Sequence, residues 1–345
     1  LFGKDYERFK EAIDRQPHVS LRLNPNKVKD VHFSNASQIP WAKNAYFLEE
    51  RPPFYADPLH HAGAYYVQES SSMFFTNAID FSRPMLALDL CASPGGKSTL
   101  ILSKLNAESF LISNELDLKR NRVLVENLNR WGNTNVAVTN ANANQFLAFE
   151  EVFDLIVVDA PCSGEGMFRK DKISLEQWSP NFVDSCAQIQ KTITEEAVKC
   201  LKPGGVLIYS TCTFEPKENE NQIRRIADEF DLEPVSIVFD PKWGVEEKDI
   251  ESNSQFFKGY FFYLQNAKGE GQFVCALRKK GILEPLAAQS KKKSVFAPID
   301  KKKEDLINSF LTIPTSYLLT EINGVVHAFP KAYNQILSSF KKKIP

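Results

Sequence analysis

Short apolar runs alternate with amphipathic segments through the middle of the chain. The apolar runs, which are typical of buried strands, lie at residues 85–90, 110–114, 136–139, 153–158, 206–209 and 272–278. Segments with helical periodicity lie between them, at residues 98–105, 117–131 and 182–200. Because strands and helices alternate, the sequence predicts an α/β fold with a parallel, doubly wound sheet.

Two local details follow from the same pattern. The helix at 117–131 should turn Leu118, Val125 and Leu128 toward the core. Residues 202–205 contain a proline followed by two glycines, which predicts a turn before the next strand.

The flanks of the alternating region predict additional domains. Residues 1–80 contain a short helix, a strand and clustered aromatic side chains, which indicates a small α+β domain ahead of a catalytic domain at 81–280. Two runs of three lysines mark a basic linker at 281–304. A small C-terminal domain is expected at 305–345.

Composition changes this picture little. The 345 residues are 43% apolar and 25% charged, with a formal net charge of −1, which is ordinary for a globular protein. No apolar run approaches the roughly 20 residues that cross a membrane. Six cysteines occur without C-x-x-C pairs or zinc-like spacing. We therefore expect a monomeric cytoplasmic protein with reduced thiols, no metal and no membrane contact.

The loop after the first strand excludes two common ligand classes. It reads Cys91-Ala92-Ser93-Pro94-Gly95-Gly96-Lys97 and opens a helix. A phosphate-binding P-loop is excluded because Cys91 stands where that motif needs glycine. The adjacent glycines do not match the dinucleotide motif G-x-G-x-x-G, which disfavours an NAD-dependent oxidoreductase.

A nucleoside cofactor without a polyphosphate remains, and we expect S-adenosylmethionine. Adjacent glycines allow close approach of the backbone, and the helix N-terminus offers free N–H groups. Glu115 ends the second strand, where an acid commonly accepts hydrogen bonds from ribose hydroxyls. The alternative is an ordinary tight turn between a strand and a helix.

Cys162 and Cys212 each follow a strand end, and the two strands should be neighbours. Addition of a thiolate to carbon-6 of a pyrimidine makes carbon-5 nucleophilic toward a methyl donor. Asp159 could hydrogen-bond ring nitrogen 3 and the exocyclic amine of cytosine. The spacing leaves open which cysteine attacks, and the alternative is that both are small buried residues.

Aromatic and basic residues ahead of the loop suggest contacts with RNA. Trp41, Tyr65 and Tyr66 either stack on bases or pin one domain onto the next. Arg22, Lys43 and the lysine runs are hypothetical contacts with phosphates.

Several motifs follow one another in a fixed order. They read YYVQESSSM at 65–73, DLCASPGGK at 89–97, DAPCSGEGMFR at 159–169, LKPGG at 201–205, YSTCT at 209–213 and ENE at 218–220. Together they resemble the Nol/Nop/Sun family of RNA cytosine-5 methyltransferases, in particular its bacterial RsmF-like branch. The resemblance covers nearly the whole chain and implies a Rossmann-like S-adenosylmethionine-dependent methyltransferase sheet.

The resemblance also implies roles for individual residues. Cys212 would be the nucleophile, and Cys162 would assist release of the methylated RNA. Asp159 would contact the target cytosine, and Lys97 would support the base pocket. The cofactor would bind at Cys91, Ala92, Ser93, Pro94, Gly95, Gly96, Lys97, Glu115, Asn142 and Asp159.

The chain departs from the family pattern at two positions. Asn142 follows the third strand, where the family usually has Asp, so we expect cofactor binding to be kept but weaker. Ser93 stands where Ala is commoner, which is a small change. Family members usually carry a further small RNA-binding domain after the C-terminal unit, so a truncated chain is expected.

The expected function is methylation of carbon-5 of cytosine in ribosomal RNA, that of the small subunit (16S rRNA), through a covalent Cys–cytosine intermediate. The expected partner is ribosomal RNA or a ribosomal subunit. A DNA cytosine-5 methyltransferase is the nearest alternative, and there Cys162 would attack in place of Cys212. The other alternative is a non-catalytic RNA-binding factor for ribosome assembly.

Overall fold

A computed structural model of the chain describes residues 3–30, 32–284, 297–311, 317–322, 324–334 and 337. Its strands are β1 (Val19–Leu23), β2 (Ser37–Gln38), β3 (Ala45–Leu48), β4 (Tyr65–Val67), β5 (Leu86–Asp89), β6 (Phe110–Asn114), β7 (Val136–Thr139), β8 (Phe153–Asp159), β9 (Leu201–Thr211), β10 (Leu232–Pro234), β11 (Val245–Glu251), β12 (Phe256–Phe262), β13 (Gln272–Lys279), β14 (Tyr317–Ile322) and β15 (Val325–Pro330). Its α-helices are α1 (Tyr6–Ile13), α2 (Pro58–His61), α3 (Gly96–Leu102), α4 (Leu118–Trp131), α5 (Lys172–Gln177), α6 (Pro180–Cys200), α7 (Glu220–Glu229) and α8 (Lys301–Asn308).

Parallel strands in the order β7-β6-β5-β8-β9 form one side of the main sheet, with β7 at its edge, which confirms the predicted α/β fold. The chain runs outward from β5 through β6 to β7 and returns to the other side of β5 as β8. In open α/β sheets, ligands bind beyond the carboxyl ends of the strands where the strand order reverses in this way. Because β5 ends at Asp89 and β8 ends at Asp159, the loops that follow them border this position.

Antiparallel strands extend the sheet beyond β9. In the described part of the chain, β13 pairs with β9, β12 with β13, β11 with β12 and the short β10 with β13. The predicted closing strand is confirmed as β13. The hydrophobic pattern did not predict β11, because its exposed face carries mostly charged side chains and one strand of this kind resembles a surface loop.

The predicted inward face of α4 is wrong in part. Leu124, Leu128 and Trp131 are its buried side chains. Leu118 is 62% exposed and Val125 is 36% exposed. The buried stripe follows the spacing i, i+4, i+7, and Leu118 lies in the first turn, at the rim of the cavity described below.

The turn predicted at 202–205 lies inside β9 and does not precede it. Leu201 pairs with Phe153 and Val206 pairs with Leu155, so residues 202–205 stand opposite Asp154 alone and interrupt the parallel ladder with β8. The pairing shifts register between Phe153 and Leu155, and Gly204 has a φ of +75°. A glycine accepts this left-handed conformation without steric cost, so the strand passes the irregularity without ending.

The N-terminal strands form a separate antiparallel sheet in the order β2-β3-β1-β4. Its aromatic residues Trp41, Tyr65 and Tyr66 are buried. The Trp41 ring lies 5.4 Å from that of Phe262 in the main sheet, and its indole N–H donates to the Ser70 carbonyl at 2.8 Å. These rings therefore pack within the protein, and the alternative of base-stacking side chains is wrong for them.

Arg22 is buried, so the prediction that it contacts RNA is wrong. Only 1% of the residue is exposed. Its guanidinium donates to Gln68 Oε1 at 3.1 Å, Thr99 Oγ1 at 2.7 Å and Ser103 Oγ at 2.9 Å. It also lies 4.5 Å from the centre of the Trp131 ring. Burial lowers the pKa of Arg22 to about 9, and the residue ties β1 to α3 and α4.

Asp89 at the end of β5 joins the strand to α3. Its Oδ2 accepts a hydrogen bond from Ser98 Oγ at 2.6 Å, and Ser113 Oγ of β6 donates to Ser98 Oγ at 2.9 Å. Asp89 Oδ1 is buried and has no hydrogen-bond partner among the described residues. Burial raises the pKa of Asp89 to about 7.

The structure describes the C-terminal part of the chain in pieces. The lysine run at 301–303 is exposed in the first turn of α8, and the run at 291–293 lies outside the described residues. β14 and β15 form an antiparallel hairpin. The boundaries at 80, 280 and 304 stay predictions. Across the described ranges, every helix is too short or too polar to cross a membrane.

Replacing Arg22 should destabilise the fold. In Arg22→Met, three acceptors lose their buried donor, so we expect the free energy of unfolding in urea to fall by about 2–4 kcal/mol. The free energy of unfolding of Arg22→Lys should lie between those of Arg22→Met and the wild type, because an ammonium group cannot make the several hydrogen bonds of a guanidinium group. Lys43→Met, at an exposed position, is the control and should change stability by less than about 0.5 kcal/mol. Wild-type stability in Arg22→Met would contradict this account.

Asp89 should make stability depend on pH. The native state keeps the Asp89 proton up to a pKa of about 7, whereas the unfolded chain loses it near 3.8. The native state therefore binds more protons between these values, and the free energy of unfolding falls as pH rises through this window. Asp89→Asn should remove that contribution, and Asp14→Asn at an exposed position should not. Urea titrations from pH 4.5 to 8 measure the free energy of unfolding at each pH. If this free energy depends on pH in the same way in the wild type and Asp89→Asn, the contribution of Asp89 is refuted.

Candidate active site

A cavity of about 1070 Å³ opens at the carboxyl edge of the parallel strands, beside the reversal between β5 and β8. Its size suits a nucleoside-sized ligand. The predicted site residues that line it are Cys91, Ser93, Glu115, Asn142, Asp159, Cys162 and Cys212. Residues from the ends of all five parallel strands, far apart in sequence, therefore meet at one place.

The predicted cofactor loop lies at the N-terminus of α3. Gly95 has a φ of +109°, and a Cβ atom there would lie 3.2 Å from the Leu124 side chain, so the position requires glycine. Cys91 and Ser93 face the cavity. The other predicted residues of this loop do not line the cavity: Ala92, Pro94, Gly95, Gly96 and Lys97.

Glu115 presents a buried carboxylate to the cavity. Its Oε1 accepts a hydrogen bond from the Asp117 backbone N–H at 3.0 Å. Its Oε2 is buried and accepts no hydrogen bond from the described residues, and the Arg120 guanidinium lies 3.6 Å away. A buried acceptor without a donor is costly, so this oxygen fits a ligand that brings hydroxyl donors.

Asn142 also lines the cavity, after the neighbouring strand β7, and part of its hydrogen-bonding capacity is already used. Its backbone N–H donates to Gln145 Oε1 at 2.8 Å, and its Oδ1 accepts from the Asn144 N–H at 3.3 Å. This capping box begins the 3-10 helix Ala143–Phe149. Asn142 therefore both lines the cavity and caps a helix.

Lys97 forms an ion pair with Asp159, which lines the same cavity as the two cysteines. Lys97 Nζ lies 2.7 Å from Asp159 Oδ2, and Ser210 Oγ donates to Asp159 Oδ1 at 2.7 Å. The side chain of Lys97 is 9% exposed and that of Asp159 is 35% exposed. Asp159 therefore reaches the cavity while both of its oxygens are held in place.

The sulfur atoms of Cys162 and Cys212 lie 3.2 Å apart, as the neighbouring strand ends predict. The Cys212 backbone N–H also points to Cys162 Sγ at 3.3 Å. Both residues are partly exposed and line the cavity. The hydrogen bond with Cys212, together with burial, raises the pKa of Cys162 well above its ordinary range, so Cys162 keeps its proton.

The other cysteines differ from this pair. All six are free thiols, and Cys186, Cys200 and Cys275 are buried, as expected from their places in helices and a strand. Burial raises the pKa of Cys186 and of Cys200 to about 12, which makes both unreactive. Over the described ranges, no three His, Cys, Asp or Glu side chains lie close enough together to hold a metal ion.

Sequence reasoning missed one wall of the cavity. Ile189, Thr192, Ile193 and Glu196 of α6 line it. Glu196 Oε2 is buried without a hydrogen-bond partner among the described residues, and burial raises the pKa of its carboxyl group. The helical periodicity of α6 predicted the helix, but periodicity does not show which exposed side chains face a cavity.

Two family models match the chain. The model described as 16S rRNA methyltransferase RsmB/F matches residues 80–278, and that described as the N-terminal domain of 16S rRNA methyltransferase RsmF matches residues 1–70. The chain is similar to Ribosomal RNA small subunit methyltransferase F of Pectobacterium atrosepticum, with 34% identity over 87% of this chain and 65% of that one. The protein of the same name from Aliivibrio fischeri is 31% identical over 97% and 75%. The chain thus spans about two thirds of the length of these relatives.

Solved structures share the fold. A methyltransferase homolog protein from Pyrococcus horikoshii matches with a TM-score of 0.68 and 28% identity, over 81% of this chain and 92% of that one. NSun6 from Pyrococcus horikoshii, solved with SFG, matches with a TM-score of 0.67 and 19% identity, over 82% and 96%. The resemblance to the Nol/Nop/Sun family is confirmed, and the chain belongs to the RsmB/F family of 16S rRNA methyltransferases, with the N-terminal domain of the RsmF branch.

Proposed function

We propose that the chain methylates carbon-5 of cytosine in 16S ribosomal RNA, with S-adenosylmethionine as the methyl donor. The observation that supports this most is the pair of cavity-facing thiols 3.2 Å apart, beside the ion pair of Lys97 and Asp159. An enzyme that methylates an electron-poor ring carbon needs a nucleophile to activate the ring, and a thiolate supplies it. The names of the relatives support ribosomal RNA of the small subunit as the substrate.

The residues around the cavity fit the proposed cofactor. Glu115 Oε2 lacks a hydrogen-bond donor among the described residues, as an acceptor reserved for ribose hydroxyls would. Cys91 and Ser93 would bring the loop against the cofactor, and Asn142 would lie near its adenosine. When bound, S-adenosylmethionine supplies an electrophilic methyl group. The related fold of NSun6 was solved with SFG, an analogue of S-adenosylmethionine.

The cysteines and Asp159 would divide the chemistry on the base. The Cys212 thiolate would add to carbon-6 of cytosine while nitrogen 3 takes up a proton from solvent. Asp159 would accept hydrogen bonds from the resulting N3–H and from the exocyclic amine, so that electron density moves to carbon-5. After the methyl group is in place, the protons on carbon-5 and nitrogen 3 would pass to water. The electrons of the carbon-5–hydrogen bond then re-form the double bond between carbon-5 and carbon-6, and the carbon-6–sulfur bond breaks to release the Cys212 thiolate. Lys97 would hold Asp159 in position through their 2.7 Å contact.

Cys212 is the better candidate for the nucleophile. Its motif, YSTCT at 209–213, is the one whose cysteine is the nucleophile in the Nol/Nop/Sun family that the chain resembles. Cys162 can instead give its proton to the neighbouring Cys212 sulfur as the product leaves. This division of roles disfavours the DNA cytosine-5 methyltransferase alternative, in which Cys162 would attack.

The N-terminal residues 1–80 would position the RNA. Lys43 is exposed and stays a candidate phosphate contact, as do the exposed lysines at 301–303. Six free thiols are in keeping with a cytoplasmic location. The expected monomeric state stays a prediction.

Substituting the two thiols separates their roles. With labelled S-adenosylmethionine and 16S ribosomal RNA, Cys212→Ala should abolish methyl transfer because no sulfur adds to carbon-6. Cys162→Ala should accumulate a covalent protein–RNA adduct, seen as a shifted band on denaturing gels. Cys186→Ala, a buried thiol outside the cavity, should transfer methyl groups like the wild type.

The same assay distinguishes the alternatives. Methyl transfer by Cys212→Ala would show that Cys162 attacks. A wild-type chain that binds the RNA tightly yet transfers no methyl group would favour the non-catalytic assembly factor.

Two variants test the cofactor site. Glu115→Gln should weaken binding of S-adenosylmethionine about 10- to 100-fold, because a charged acceptor of ribose hydroxyls is lost. Asn142→Asp should strengthen it modestly, since a carboxylate is the better acceptor near the adenosine. Isothermal titration calorimetry measures both, with exposed Glu126→Gln as the control. Unchanged affinity in Glu115→Gln would remove Glu115 from the cofactor site.

A further inference from the structure

Two consecutive side chains between the cysteine loops take no part in the chemistry described above. Glu218 and Asn219 lie immediately before α7, and each is 0% exposed. Burying a carboxyl group is costly unless hydrogen-bond donors surround it, and burial raises the pKa of Glu218. The hydrogen bonds that these two side chains make therefore indicate their structural role.

Glu218 binds the loop that carries Cys162. Its Oε2 accepts from the Ser163 backbone N–H at 3.1 Å, and its Oε1 is hydrogen-bonded to Ser163 Oγ. Gln190 Nε2 donates to Glu218 Oε2 at 2.7 Å and to the Pro161 carbonyl at 2.9 Å. The residue after Cys162 is therefore tied to the carboxyl group directly, and the residue before it through Gln190.

Asn219 binds the loop that carries Cys212. Its Oδ1 accepts from Thr211 Oγ1 at 2.6 Å, and its Nδ2 donates to the Thr213 carbonyl at 2.9 Å. These threonines are the two sequence neighbours of Cys212. The Asn219 side-chain amide therefore fixes the backbone on both sides of Cys212.

Further contacts connect the two halves of this arrangement. Ser163 Oγ lies 2.9 Å from Thr213 Oγ1, which joins the two loops directly. Tyr209 in β9 donates its hydroxyl to the Glu218 backbone carbonyl at 2.6 Å. Because Glu218 and Asn219 are adjacent in the chain, the loop tied to one cannot move far without the loop tied to the other.

We propose that Glu218 and Asn219 are positioning residues that set the separation of the Cys162 and Cys212 sulfur atoms. The catalytic consequence rests on the proposed function, because it assumes that both thiols act on one base. Displacing a reacting group by about 1 Å can cost roughly 100-fold in rate. The hydrogen bonds of these two adjacent residues keep the distance between the two sulfur atoms constant while the RNA base enters and leaves.

The first test measures the sulfur separation without any RNA. Diamide takes up the two thiol hydrogens as a disulfide forms, and peptide mapping by mass spectrometry identifies the Cys162–Cys212 product. Because the sulfurs already lie 3.2 Å apart, the wild type should form this disulfide rapidly. Glu218→Ala and Asn219→Ala should each slow its formation about 10-fold or more.

The second test measures catalysis by the same variants. Glu218→Ala and Asn219→Ala should lower kcat for methyl transfer about 10- to 100-fold while KM for S-adenosylmethionine stays within about two-fold of wild type. Glu218→Gln keeps the size and one acceptor oxygen, so it should recover part of both losses. Glu229→Ala, at the exposed end of α7, is the matched control and should behave like the wild type.

Thermal unfolding of each variant separates positioning from loss of the fold. If Glu218→Ala does not fold, Ser163→Ala removes only one hydroxyl from the same contact and should show the same slower disulfide formation. Wild-type disulfide rates and kcat in the folded variants would overturn the proposal. A wild-type chain that forms the disulfide but never methylates RNA would refute the proposed function. The rates of disulfide formation in the variants would then decide by themselves whether Glu218 and Asn219 position the sulfurs.

Discussion

The parallel pairing of β8 with β9 is the constraint on which the site depends. Asp159 pairs with Ser210 at the end of the ladder, so the residues just beyond both strands leave the sheet at the same level. A slip of one residue would move one loop by about 3.3 Å relative to the other and reverse the facing of its side chains. The 3.2 Å contact between the sulfurs, and the hydrogen bond from Ser210 to Asp159, both require this register.

Charge inside this site is compensated locally instead of by solvent. Lys97 meets Asp159, and Glu115 has Asp117 N–H and the Arg120 guanidinium close to it. Each carboxyl group thus has neighbours that make its burial tolerable while leaving an oxygen or an edge available to a ligand.

The elements and the pairing of the cysteines could be predicted because they depend on local patterns. Apolar runs located β5, β6, β7, β8 and the second half of β9. Because parallel strands end at the same edge, Cys162 after β8 and Cys212 after β9 were expected to lie close together. What failed depends on tertiary contacts. Arg22 looked like a surface cation, since no sequence pattern shows that three hydroxyl or amide acceptors and an indole ring will surround it. The burial and hydrogen bonds of Glu218 could not be predicted either, because its partners Ser163 and Gln190 are distant in sequence.

The burial of Arg22 bears on how separable the N-terminal sheet is from the rest of the molecule. Its guanidinium stands in β1, but its partners Thr99 and Ser103 lie in and just after α3, and Trp131 ends α4. Removing the N-terminal residues would expose the Thr99 and Ser103 hydroxyls at α3 and the indole face of Trp131 at the end of α4 to water. The N-terminal sheet is therefore part of the same packed structure as the main sheet, and replacing it with an unrelated domain would also require a new surface on α3 and α4.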